Sequence, residues 1–228
     1  MSVGEETRRY HLGELEIALS TDDPRRVMPE LTPTHRRILD IGCGAGQTLI
    51  GLALTPEIRA IGVDPDIAAL ELGREWAPSI PFVSADAEAL PFPDGAFDLV
   101  ISRVAVPYMH IPVALREMHR VLAPGGRLWV TLHPPRMMIS ALGRSLRSMN
   151  VKASAFHLYV LLNGLAFHLT GRLLRWPLAP RRYESVQTRR AIMRSLRQAG
   201  FATVDVRDDR HFVVIAERST GQRPPVPC

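Results

Sequence analysis

Lysine is nearly missing from this sequence: Lys152 is the only one, against 27 arginines. The net charge of +5 is therefore an arginine excess, which reads as a genome-composition bias and makes no case for a nucleic-acid partner. Cysteine is scarce too. Cys43 sits among glycines and Cys228 is the last residue, so there is no disulfide framework and no metal-ligand spacing. No cluster of histidines and acids supplies a metal site either, and no metal is expected. The first twenty residues lack the basic start and apolar block of an export signal, and the expectation is a cytoplasmic protein. Internal repeats are absent. Acids are absent from the whole stretch between Glu117 and Glu184, which makes the charge lopsided: −6 over residues 1–132 and +11 over residues 133–228.

The remaining composition is that of an ordinary folded chain, 46% hydrophobic and 22% charged over 228 residues. Short apolar runs at 36–41, 58–63, 82–83, 97–102 and 127–132 read as strands, with helices expected over 46–54, from Asp64 onward, and over 112–122. Strands alternating with helices across short Gly and Pro turns imply a parallel sheet covered on both faces. The end of the chain breaks this rhythm. A helix over 188–199, stopped by Gly200, is followed by two alternating strands, 201–207 and 212–217, which should pair as an antiparallel hairpin. The expected fold is α/β, a Rossmann-like doubly wound sheet of seven strands, mostly parallel, with an antiparallel C-terminal strand pair and a helical insertion after the fifth strand. In domain terms this gives an N-terminal helical lid segment at 1–35, a core at 36–132 and 187–218, a substrate-binding insertion at 133–186, and a disordered tail at 219–228.

The run ILDIGCGAGQT, residues 38–48, places three glycines in five positions directly after the first strand. Bare backbone at that point lets a ligand approach the chain and a helix N-terminus. The dinucleotide pattern GxGxxG fails here, because Gly42 and Gly44 fit but the next required position is Gln47 and the glycine falls at Gly46. Asp40, just before the turn, would repel a pyrophosphate and attract an ammonium group.

At this point the chain resembles the class I S-adenosylmethionine-dependent methyltransferases, in particular the small-molecule branch typified by ubiquinone and menaquinone C-methyltransferases. Four ordered segments carry the resemblance: ILDIGCGAG, GVDPD, SADAEALPFPDGAFDLV and REMHRVLAPGGRLWV. It implies S-adenosylmethionine as cofactor, S-adenosylhomocysteine as product, and a set of binding residues. Asp40, Gly42, Cys43, Gly44 and Gly46 would lie at the methionine part, Asp64 with Pro65 at the ribose hydroxyls, and Asp86 and Ala87 at the adenine. Read singly, Asp40 could equally cap a turn and Asp64 a helix, and Cys43 is a small turn residue rather than a nucleophile.

Transfer of an activated methyl by in-line displacement needs an aligned acceptor more than acid or metal catalysis. A hydroxyl or carbon-acid acceptor gains from a base near neutral pKa. His110 and His133 follow the fourth and fifth strands at the carboxyl edge of the sheet and are the candidate bases, with Tyr108 lining the acceptor site. Ser102 and Arg103 leave the fourth strand beside the methionine end, and Tyr10 of the leading segment is a candidate lid residue. The uncharged stretch Ala153–Gly171 approaches the length of a membrane span but is too polar for one. It is expected as one or two helices whose Phe156, His157, Tyr159 and His168 face the acceptor. The reading is O- or C-methylation of a small, hydrophobic or aromatic acceptor, with peripheral membrane contact or a homodimer as candidate partners. Its rivals are a cofactor-binding protein without transfer and a transferase of another S-adenosylmethionine-derived group.

Overall fold

In a computed structural model the chain is described over residues 3–133, 135–176, 183–208 and 211–221. Seven strands form one sheet: β1 (Arg37–Ile41), β2 (Arg59–Asp64), β3 (Phe82–Ser84), β4 (Phe97–Arg103), β5 (Leu122–Leu132), β6 (Phe201–Arg207) and β7 (Phe212–Arg218). Their order across the sheet is β3-β2-β1-β4-β5-β7-β6. The first five pair in parallel, while β7 runs antiparallel to both β5 and β6. The expected fold class, including the antiparallel C-terminal pair, is the observed one. The direction reverses between β1 and β4, because β2 and β3 extend the sheet one way and β4 onward the other. In open α/β sheets such a switch point opens a crevice at the carboxyl ends of the strands.

The helices are α1 (Val3–Leu19), α2 (Gln47–Gly51), α3 (Ile67–Trp76), α4 (Ile111–Val121), α5 (Pro135–Arg147), α6 (Val151–Thr170) and α7 (Arg189–Ala199). α4 shows why the alternating pattern folds this way. Ile111, Leu115, Met118 and Val121 lie three or four apart and are all buried in the core, each stabilising by roughly 1.5–3 kcal/mol. Asp66 caps α3 by accepting from the amides of Ala68 and Ala69, and Thr188 caps α7 through Ala191. α2 stops at Gly51, short of the expected Leu54. A Cβ at Gly51 would stand 2.8 Å from the Ala18 carbonyl oxygen, so α1 crosses that turn, and the chain leaves it through Ala53 at φ 46°.

The expected insertion contains α5 and α6, which pack on each other as a helical hairpin. Asn163, fully buried in the middle of α6, ties the hairpin to the following segment. Its amide nitrogen donates to the carbonyls of Leu174 and Glu184, and its oxygen accepts the Leu174 amide at 2.7 Å. No helix among the described residues is long and apolar enough to cross a membrane. Arg181, Arg182, the Asp209–Arg210 turn, and residues 222–228 of the expected tail with Cys228 lie outside the described residues.

Candidate functional site

The carboxyl ends of the strands open into a cavity of about 1140 Å³. It exceeds a typical single-ligand pocket of roughly 300–1,000 Å³. At one end is the glycine turn. Gly42, Gly44 and Gly46 all have positive φ, at 71°, 54° and 79°. The turn's amides are largely spent on protein. Gly42 and Cys43 both donate to the Val63 carbonyl, Gly46 donates to the Cys43 carbonyl, and Gly44 donates to the Asp64 carboxylate at 2.9 Å. A turn whose amides are occupied, with two acids beside it, offers little to a pyrophosphate. The electrostatics favour a cation at this end.

Asp40 sharpens that conclusion. It lies on the central strand β1, is 1% exposed, and neither carboxylate oxygen has a hydrogen-bond partner among the described residues. Burial pushes its pKa up to about 7, with the Asp64 charge adding and the Arg103 charge opposing. An unpaired buried carboxylate is costly, so a group retained this way is suited to a cationic ligand. Asp64, at the end of β2, accepts from Gly44 and Asp66 through one oxygen each. Each oxygen keeps a lone pair for a further donor. Burial raises its pKa, against the lowering effect of those two amides. A diol against Asp64, with Asp40 adding negative charge from beneath the lining, thus fits the ribose and the ammonium of S-adenosylmethionine.

Of the residues singled out in the sequence, Tyr10, Gly42, Cys43, Gly44, Asp64, Pro65, Asp86, Ala87, Arg103, Tyr108 and His133 all line this one cavity. Others are placed elsewhere. Asp40 lies beneath the lining rather than in it, so its carboxylate can act on a ligand by charge but not by contact. Gly46 is taken up by packing, since a Cβ there would stand 2.7 Å from the Phe82 ring. Ser102 is fully buried and donates to the Ile41 carbonyl, joining β4 to β1. Burial holds the Cys43 thiol well above its ordinary range, which leaves it no nucleophilic character at neutral pH.

The two candidate bases separate. His133, half-buried at the end of β5, lines the cavity, and burial lowers its pKa against the opposing charge of Glu14. His110 stands at the N-cap position of α4 without a side-chain capping bond and is not a lining residue. Its backbone amide donates to Glu88, its ring sits edge-on to Tyr183 at 5.0 Å, and its Nδ1 is buried without a partner.

The four α6 residues also lie outside the cavity lining. Phe156 packs edge-on against Trp176, His157 bonds Ser145, Tyr159 donates to the Leu174 carbonyl, and His168 bonds Thr188. Instead, the first turn of α5 reaches the cavity through Arg136 and Met137, and the start of β7 through His211 and Phe212. Sequence reasoning does not find these four. A signal exists for Phe212: an antiparallel β7 must begin where β5 ends, and the register sets Leu132 opposite Phe212.

α1 contributes more than Tyr10. His11 stands over the glycine turn, its ring nitrogen 2.7 Å from the Gln47 amide, and a Cβ on Gly44 would fall 2.9 Å from its Cε1. Glu14 accepts from Arg103, which also donates to Thr48. Arg8 pairs with Glu75 on α3. Nothing in the periodicity of the leading segment marks His11 or Glu14, because their partners are 36 and 89 residues away. Among the described residues no group of three or more His, Cys, Asp or Glu side chains has the arrangement of a metal site.

Comparison with known proteins agrees with this geometry. Residues 38–126 match a family model described as a methyltransferase domain. A demethylmenaquinone methyltransferase of Thermus thermophilus is 39% identical over 117 residues, covering 49% of this chain and 53% of that protein. A malonyl-[acyl-carrier protein] O-methyltransferase of Legionella pneumophila is 39% identical over 105 residues, covering 44% and 37%. The chain thus spans about half or less of these relatives' lengths. Among solved structures, a SAM-dependent methyltransferase from Methanosarcina mazei superposes with a TM-score of 0.54 at 21% identity, covering 84% of this chain and 99% of that one, a likeness of fold. From the seven-stranded sheet, the glycine turn with its acids, and the match over residues 38–126, this chain carries a methyltransferase domain of the class I S-adenosylmethionine-dependent family.

Proposed function

We propose that the protein transfers a methyl group from S-adenosylmethionine to a small, apolar acceptor. The observation that carries the reading is the single cavity that joins the acid-flanked glycine turn to His133 and the apolar side chains of Met137, Phe212 and Tyr108. Asp64 would hold the ribose hydroxyls and Asp86 with the backbone of Ala87 the adenine, while Asp40 would attract the ammonium by its charge from beneath the lining. When bound, the cofactor supplies an already activated methyl, so what the chain must do is orient the acceptor and exclude water. Exclusion of water falls to α1, whose bridges through Glu14 and Arg8 hold His11 and Tyr10 across the cofactor end.

His133 is the base for a hydroxyl or carbon acid. Its lowered pKa keeps it neutral, and therefore able to accept a proton, at neutral pH and below the ordinary histidine value. His110, behind the lining, is left to pack against Tyr183. The relatives act on a quinone precursor and on a carrier-bound acid by their names, and both C- and O-methylation remain within reach of this geometry.

The test has two steps. Calorimetry should show binding of S-adenosylmethionine and S-adenosylhomocysteine, and none of NAD. Incubating the protein with labelled cofactor and a metabolite extract should then label an organic-soluble product, identified by mass spectrometry. Binding of NAD alone would overturn the cofactor assignment, and binding without any labelled product would favour a cofactor-binding protein that does not transfer.

A further inference from the structure

α6 has no charged face. Its twenty residues carry one charge, Lys152, and its inward side (Val160, Asn163, Gly164, Phe167) is buried. On the outward side Val151, Leu158, Leu162, Leu165 and Leu169 are 78%, 49%, 53%, 53% and 67% exposed. At about 100° per residue these five fall within an arc of about 60°, a stripe running about 27 Å along the helix. Leu146 on α5 and Met149 in the connecting turn are also open, at 60% and 86%. A continuous exposed apolar stripe of this kind marks a contact surface.

The charges around the stripe decide what covers it. Arg147 and Lys152 flank its first end and Arg172 its last; all three are exposed, and the sequence has no acid between Glu117 and Glu184. A second copy of this helix, whether parallel or antiparallel, would bring basic ends onto basic ends. An acidic lipid surface would instead pair with both ends while its acyl region takes up the leucines. We infer that the exposed face of the α5–α6 hairpin, centred on Leu158, Leu162, Leu165 and Leu169, is a docking surface for membranes containing anionic lipid.

The same hairpin begins at the cavity, through Arg136 and Met137. Docking there sets the rim of the cavity beside the lipid, a route for an acceptor dissolved in it. The docking itself stands whether or not methyl transfer occurs.

The experiment is flotation of the whole protein with two kinds of vesicle, phosphatidylcholine alone and phosphatidylcholine with about 30% phosphatidylglycerol. The expected result is binding to the anionic vesicles that falls as salt rises, and weak binding to the neutral ones. Leu162→Glu/Leu165→Glu changes half-exposed positions, and an unaltered urea midpoint will show that the fold is kept. It should weaken anionic-vesicle binding at least about tenfold, through lost apolar burial and added like charge. Absence of binding to anionic vesicles, or equal binding by protein and variant, overturns the inference. So does a dimer in sedimentation velocity that the same pair of substitutions dissociates, because the face would then belong to a second copy.

Discussion

Replacing Asp40 with asparagine should make the protein more stable and a worse binder of its cofactor. The carboxylate is fully buried with both oxygens unpaired, and its pKa stands at about 7 rather than 3.8. A difference of about three units corresponds to roughly 4 kcal/mol of destabilisation once the group is charged. The sign follows from proton binding. With the folded pKa raised, the native state keeps a proton that the unfolded chain has already lost, so this group's contribution to stability falls as pH rises from about 4 to about 7 and is level beyond. A buried neutral amide without partners costs about the same 1–3 kcal/mol as the protonated carboxyl it replaces, so that cost cancels, and the net gain of Asp40→Asn should be about 4 kcal/mol at pH 8 and about 1.5 kcal/mol at pH 5. Urea denaturation of both proteins at the two pH values measures this, and comparing them cancels the opposite pH trends of the buried histidines. Calorimetry with S-adenosylhomocysteine should show affinity lower by about tenfold, or roughly 1.4 kcal/mol, as the ammonium loses its counter-charge. Parallel pH profiles for the two proteins, or an asparagine variant less stable at pH 8, would refute the argument.

Three further outcomes follow from the geometry. His133→Ala should lower turnover about a hundredfold with S-adenosylhomocysteine affinity unchanged, and the acid limb of the wild-type pH–rate profile should lie below the ordinary histidine value of about 6.5, because burial lowers the pKa. Gly44→Ala combines a left-handed φ of 54° with a methyl 2.9 Å from His11. It should cost about 1–2 kcal/mol in denaturation and weaken cofactor binding by displacing α1. Asn163→Ala should destabilise by about 2–3 kcal/mol, because it strands the Leu174 amide and the Glu184 carbonyl while Tyr159 still bonds the Leu174 carbonyl, and urea denaturation will measure it.

The sheet was legible because its rules are local. Alternating strand and helix patterns and Gly200 as a helix stop are read within a few residues, and together they fix a doubly wound order, although the cap of α3 falls on Asp66 rather than on Asp64. The gathering of Gly42, Gly44, Asp64 and Asp86 at one end of the cavity was legible for a related reason, since they sit at strand ends, where this architecture brings them together. The acceptor end was not. α6 draws attention by its aromatics and histidines, but Phe156, His157, Tyr159 and His168 satisfy their rings and polar atoms against Trp176, Ser145, Leu174 and Thr188. Composition cannot say which face of an apolar helix turns inward. Met137 and Phe212 reach the cavity through the direction of α5 and the antiparallel run of β7, a property of assembly rather than of any window of sequence. His11 is similar: a histidine in a helix of weak periodicity becomes a wall of the site only when α1 crosses the glycine turn.

The position of β7 has a consequence for how the molecule is made. β6 precedes β7 in the chain but lies outside it in the sheet, so β5 gains its neighbour only when residues 212–218 arrive. Arg127 meets Glu217 across 90 residues of intervening chain. Until then the long edge of β5, with Leu128, Val130 and Leu132 destined for burial, is an open template for any other strand. Arg218 then closes the structure, its guanidinium taking the carbonyls of His119, Arg120 and Leu122 at the end of α4. The final strand therefore acts as the stitch on which completion of the sheet waits. A chain interrupted before Phe212 would carry a nearly whole cofactor site on a sheet that invites aggregation, making folding late and dependent on long-range pairing.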